Sequence, residues 1–253
     1  MDVETPLPSA AVIGLGRFGR FWAEMLSTQF SVVGTSRRRI AELPATVRQV
    51  ELPEALASDY VFLCVAISAM PEVLDRIAGL LPTGTTVVDT CSVKVFPVAE
   101  MEARLPEEVG IIATHPMFGP DSARERTDLL PVITWPVRDT YRRYGDLTRR
   151  FERLDMRVEE MSPETHDREA AFSQGVTHLV GRLLREMALQ PSGIATLGYT
   201  RLLQVMEQTC NDPVELFRDL QRYNPYTREM RRSFAEALER TEALLSDRPE
   251  GES

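Results

Sequence analysis

The feature that most constrains this chain is Gly14-Leu15-Gly16-Arg17-Phe18-Gly19, set directly behind the apolar run 10–13. Glycines at this spacing suit a strand that turns sharply into a helix. Gly14 permits the tight turn, Gly16 lets the backbone approach a pyrophosphate, and Gly19 lets helix and strand pack in contact. The helix, opened by Arg17 and Phe18, would offer unpaired N–H groups and the positive end of its dipole to phosphate oxygens. A dinucleotide site is the expectation; a glycine-rich turn without ligand is the alternative.

The rest of the first half supports a sheet around that turn. Short runs rich in Val, Ile and Leu stand at 10–13, 30–34, 60–65, 86–89, 111–114 and 132–135, with little polar alternation. Strands buried on both faces of a parallel sheet have this pattern. Stretches of crossover-helix length, such as 18–28 and 69–80, lie between them. The expected fold class is α/β: an N-terminal Rossmann doubly wound parallel sheet over residues 1–160, followed by an all-α C-terminal domain over 161–253. Strand-like runs stop near Pro163, and helices are expected at 163–187, 193–209, 213–221 and 225–245. Ser162 and Asp212 precede two of them as candidate N-caps. Met230, Phe234, Leu238 and Leu245 fall at helical spacing in the last. That stripe is either a homodimer interface through the helical domain or an intrachain core.

The second run ends Gly34-Thr35-Ser36-Arg37-Arg38-Arg39. An NAD-preferring site usually carries an acid here to accept from the ribose 2′-hydroxyl. Ser36, Arg37 and Arg38 instead offer donors and positive charge, which suit a 2′-phosphate and make NADP the expected cofactor. A solvated basic turn is the alternative. Ligands of such sheets bind at the carboxyl edge, so Cys64, Val65 and Asp89, at the ends of the third and fourth runs, join the expected cofactor contacts.

Bulk properties narrow the partners. A net charge of -9 argues against nucleic acid. No run approaches the roughly 20 apolar residues that span a bilayer. The N-terminus has no secretory or transit pattern. The three cysteines, Cys64, Cys91 and Cys210, form neither a disulfide framework nor a metal site, so a reducing cytoplasm and no metal are expected.

Two polar turns close the fourth and fifth runs: Asp89-Thr90-Cys91-Ser92-Val93-Lys94 and Thr114-His115-Pro116-Met117-Phe118-Gly119-Pro120. His115 can take a proton near neutral pH, as oxidation of an alcohol requires, and Ser92 can hydrogen-bond both an imidazole and a substrate hydroxyl. From the residues alone, a histidine before proline equally well caps a turn.

These segments resemble the prephenate/arogenate dehydrogenase family, especially its plant arogenate-dehydrogenase-like branch. The His115–Pro120 turn and Asp89-x-x-Ser92-Val93-Lys94 carry the resemblance. So do Glu160-Met161-Ser162, His166-Asp167, Ala170-Ala171, Ser173-Gln174, Thr177-His178, Gly181-Arg182, Gly198-Tyr199 and Thr209-Cys210-Asn211-Asp212. It extends over about residues 10–230, with a poor match at 124–140 and Asp121-Ser122-Ala123 where relatives often have Glu-Ser-Gly. The resemblance implies oxidative decarboxylation of a small cyclohexadienyl substrate, with His115 catalytic and Ser92 its hydrogen-bonding partner. It places Gln174, Thr177 and His178 toward the substrate and matches Arg201 to the arginine that grips a substrate carboxylate. It sets Asp212 where arogenate-type enzymes place an acid, so arogenate precedes prephenate. 4-Amino-4-deoxyprephenate is an alternative, as is a non-catalytic NADP sensor. A hydroxyacid-type dehydrogenase commonly uses a helical-domain lysine, and no lysine follows Pro163.

Overall fold

The computed structural model describes residues 6–125 and 128–246. The polar tail after Asp247 lies outside them. The chain divides into two compact units, one running to His166 and the other from Asp167, a few residues later than the break expected after residue 160.

The first unit begins with β1 (Ser9–Ile13), α1 (Arg17–Leu26), β2 (Ser31–Thr35), β3 (Arg48–Gln49), α2 (Leu52–Leu56), β4 (Tyr60–Leu63) and α3 (Met70–Ile77). It continues through β5 (Thr86–Asp89), α4 (Val95–Arg104), β6 (Gly110–Pro116), α5 (Pro120–Glu125), β7 (Leu130–Arg138), α6 (Tyr144–Glu152) and β8 (Met156–Glu160). The strands form one eight-stranded sheet in the order β3-β2-β1-β4-β5-β6-β7-β8. The chain winds outward from β1 in one direction and from β4 in the other, so right-handed crossovers put helices on both faces. The reversal falls between β1 and β4, and it opens a crevice at their carboxyl ends.

The sheet is the expected doubly wound parallel one, with a single antiparallel pairing towards one edge. β7 runs antiparallel to β6, and β8 is parallel to β7. Pro136 lies opposite Ile112, beside a register shift at Ile111/Ile112. Proline cannot donate to a ladder, and such a shift is where a sheet tolerates it. Two strands escaped the search for apolar runs. β3 has only two residues. β8, Met156-Arg157-Val158-Glu159-Glu160, begins by alternating apolar and charged positions, as suits an edge strand that must not pair further.

Aromatic packing holds α1 to the sheet. Trp22 is fully buried, stacks on Phe18 at 5.7 Å and meets Phe62 and Phe151 edge-on at 6.1 and 5.7 Å. Its neighbours come from β4 and α6, so one side chain ties two distant elements to the helix that opens the nucleotide turn.

The second unit is all helical. α7 (Pro163–Ala170) carries the break, its residues up to His166 belonging to the first unit; Ser162 accepts from Thr165 N at 3.3 Å at its start, and a π turn (Ala171–Gly175) leads into α8 (Val176–Glu186). A π turn disrupts the regular carbonyl ladder, and Gln221 Nε2 donates to the Gly175 carbonyl at 2.9 Å. α9 (Leu197–Asn211), α10 (Val214–Tyr223) and α11 (Thr227–Ser246) complete the unit. α10 is capped by Pro213, without a side-chain bond, so Asp212 is not its N-cap as expected. Along α11, Met230 is buried while Leu238 and Leu245 are 54% and 79% exposed, so only the start of the apolar stripe is an intrachain core.

Candidate active site

A cleft of about 990 Å³ lies at the carboxyl ends of β1, β2 and β4. Gly14, Gly16, Ser36, Arg37, Arg38, Cys64 and Val65 line it. Gly14 has φ +99°, and a Cβ there would stand 2.3 Å from the Cys64 carbonyl oxygen, so only glycine fits. A Cβ at Gly19 would meet the Gly14 carbonyl at 1.8 Å, which accounts for that glycine by packing alone. Beside Gly16, by contrast, there is open space where a Cβ would point. An open cradle at a helix N-terminus, with arginines on its far side, fits a dinucleotide.

The remaining expected cofactor residues act differently. The Arg17 side chain pairs with Asp121 and Phe18 is packed on Trp22, and neither residue lines the cleft. Asp89 is 0% exposed and does not line the cleft. Its Oδ1 accepts from Thr114 N at 3.1 Å, and its Oδ2 accepts from Cys91 N at 3.0 Å and from Lys94 Nζ. Lys94 also donates to the Thr114 carbonyl. Asp89 is therefore a clasp between β5, α4 and β6, a correction to its expected role. Arg39, Arg48 and Arg76 line the cleft as well and were missed. Arg48 is on the overlooked β3, where it pairs with Glu54 at 2.7 Å, and Arg76 looked like any charged helix position.

His115 stands at the carboxyl end of β6, immediately after the clasped Thr114, and is 3% exposed. The hydrogen bond expected from Ser92 is not formed among the described residues; Ser92 is half-buried on the turn before α4. His115 Nδ1 instead meets His166 Nε2 at 2.8 Å, with the rings 5.0 Å apart and tilted 73°. His166 is 2% exposed on α7. Burial holds the His115 pKa well below the usual 6.5, helped by the neighbouring His166 and Lys94. His115 is thus a neutral base at neutral pH, with Nε2 as the nitrogen left to meet a ligand. The sequence showed His166 only within a His-Asp pair.

In the helical unit, Gln174 Oε1, His178 Nδ1 and Arg182 Nε are buried without partners. They follow one another at four-residue steps on one side of the helix. Buried polar atoms are normally paired, so this row marks a place prepared for something polar. Burial lowers the His178 pKa, Asp212 opposes that shift, and Arg182 adds to it. Thr177 is exposed, and its hydroxyl donates to the Ser173 carbonyl at 2.9 Å. Arg201 lies exposed on α9. Among the described residues no cluster suits a metal, and no helix is long and apolar enough to cross a membrane.

Residues 34–131 match the family model for the prephenate dehydrogenase nucleotide-binding domain, and 183–253 match that for the TYRAAT1-like C-terminal domain. Arogenate dehydrogenase 2, chloroplastic, of Arabidopsis thaliana is 36% identical over 245 residues, covering 88% of this chain and 68% of the relative. Arogenate dehydrogenase 1, chloroplastic, of the same plant is 33% identical over 94% of this chain, which spans only 39% of that relative's length. Among solved structures, Aquifex aeolicus prephenate dehydrogenase with hydroxyphenyl propionate and NAD+ superposes with a TM-score of 0.73. It covers 96% of this chain and 92% of its own at 19% identity. Synechocystis arogenate dehydrogenase gives 0.68, covering 94% and 92% at 19% identity. At these identities the two structures bear on the fold alone.

Proposed function

We propose that this chain, which belongs to the family of arogenate and prephenate dehydrogenases, oxidatively decarboxylates arogenate, or prephenate in its place, with NADP as cofactor. The single observation that carries the reading is His115, a buried neutral imidazole at a strand's carboxyl end with Nε2 available. Such a base accepts the proton of a ring hydroxyl without first having to lose one of its own. When bound, the nicotinamide takes the hydride from the hydroxyl-bearing ring carbon. Gly14, Gly16 and the first turn of α1 would hold its pyrophosphate, and Ser36, Arg37 and Arg38 a 2′-phosphate. Departure of the ring carboxylate is driven by aromatisation, so the protein's task is placement and custody of one proton.

Ser92 is assigned to the substrate hydroxyl. The unpaired row at Gln174 and His178, with Asp212 acting on His178, is assigned to the substrate side chain. A carboxylate there favours the ammonium of arogenate, which prephenate lacks. Arg201 is assigned to a substrate carboxylate through a bidentate fork. Exposed Leu238 and Leu245 fit a homodimer through the helical domain. Three free cysteines suit a reducing compartment such as the cytoplasm.

The test is the appearance of reduced-nicotinamide absorbance with purified protein, NADP or NAD, and arogenate, prephenate or 4-amino-4-deoxyprephenate in turn. Arogenate with NADP should give the highest kcat/KM, and His115→Ala should lower kcat by about 10²–10⁴-fold. Full turnover by that variant would remove the proton-acceptor role. No turnover with any substrate would favour the sensor reading.

A further inference from the structure

We propose that His166 is a positioning residue for His115: it fixes the tautomer that keeps Nε2 basic, and it shares the proton that His115 accepts. The inference rests on the reaction proposed above, but the pairing on which it stands can be read without substrate. Two buried imidazole nitrogens 2.8 Å apart need one proton between them. A neutral imidazole has one N–H, so a proton on Nδ1 of His115 leaves Nε2 bare. His166 Nε2 then accepts, as a carboxylate or carbonyl does behind other catalytic histidines. The opposite tautomer would block Nε2 with a proton and leave His115 no base to offer.

The pair also serves the later steps of the reaction. As hydride and its electron pair leave the ring carbon, the hydroxyl proton passes to His115 Nε2. The bridging proton can then move from Nδ1 to His166 Nε2, so the positive charge is spread over two rings. The bond to the ring carboxylate breaks, carbon dioxide leaves, and the electron pair completes the aromatic ring and puts negative charge on its oxygen. That oxygen takes the proton back from Nε2 and the bridge returns, with no net proton released. Two protonated rings would set two N–H groups face to face, so the pair holds one added proton and no more. Among the described residues, the titratable groups facing His115 are Lys94, ion-paired to Asp89 at the head of α4, and His166 from α7. The β7 residue in register with it is the apolar Ile133. Lys94 disfavours a cation on His115, which makes a second ring to share it more valuable.

The experiment combines nitrogen-15 NMR of the imidazoles in the substrate-free protein with pH profiles of kcat. There are only three histidines, so a His178→Gln variant completes the assignment. His115 should be protonated at Nδ1 and bare at Nε2. His166→Gln, whose side-chain oxygen accepts the hydrogen bond from Nδ1 but cannot take the proton, should keep the tautomer and recover most of the kcat lost in His166→Leu, while its acid limb still moves to lower pH. His166→Leu should lose the fixed tautomer, lower kcat by about tenfold or more with KM changed less than twofold, and move the acid limb of kcat to lower pH. A bare Nδ1 on His115 in the wild type overturns the proposal, even should His166→Leu not fold. An unchanged tautomer and pH profile in His166→Leu, or equal damage in the Gln and Leu variants, also overturns it. Absence of turnover with every substrate would sink the reaction instead, and the NMR tautomer would still decide the pair.

Discussion

In the function proposed above, cofactor choice rests on a few side chains just beyond β2. Ser36 is half-buried, and Arg37 and Arg38 are exposed at the rim of the cleft. Their only means of telling NADP from NAD is the 2′-phosphate, where a charge-assisted hydrogen bond contributes about 1.5–3 kcal/mol. The double variant Ser36→Asp, Arg37→Ala replaces a donor by a repelling carboxylate and removes one cation. Its NADP-to-NAD ratio of kcat/KM should fall by at least about tenfold. An unchanged ratio would move the selectivity to Arg39, Arg48 or Arg76, which share the cleft.

Between elements, the buried clasp matters most. Asp89 ends β5, Lys94 caps α4, and both bind the backbone of Thr114 in β6, the residue before His115. Removing one partner leaves a charge buried without compensation, which costs about 3–5 kcal/mol, whereas removing both with apolar residues of similar size costs much less. Lys94→Met should therefore lower the urea midpoint sharply, and Asp89→Leu with Lys94→Met should recover part of the loss. Should the double variant be less stable than Lys94→Met, the clasp would be holding the strand ends through Asp89's backbone hydrogen bonds and not through its charge. The location of His115 is thus set two elements away, because Asp89 draws β6 onto the end of β5.

For the molecule as a whole, the buried histidines determine how stability responds to acid. His115 and His178 both have pKa values held below the usual 6.5, mainly by burial. As pH falls through about 6.5 the unfolded chain binds protons that the folded chain refuses, so stability present above that pH is lost below it. Asp59 and Asp146, lowered below the usual 3.8 by hydrogen bonds and arginines despite some burial, add a second loss at more acid pH. Urea midpoints should hold between pH 8 and 7 and fall between about 6.5 and 5. His178→Gln should flatten that decline; a midpoint independent of pH over the range would show that neither ring is held neutral.

The sequence by itself determined the glycine turn, because Gly14 takes a φ of +99° and a Cβ at Gly19 would meet the Gly14 carbonyl, and both constraints are local. It also determined the alternating β and α order and the helical second half, since continuous apolar runs and helical spacing are local patterns too. It could not announce β3 and β8, whose short or half-charged strands form only because a sheet edge is there to receive them. Nor could it show β7 reversed, Asp89 sealed away from the cleft, or Ser92 left out of His115's hydrogen bonding. Only the tertiary structure decided those, because they depend on which residues distant in the chain meet. His115 and His166 are 51 positions apart, and no spacing rule reaches across that separation to bring two rings together.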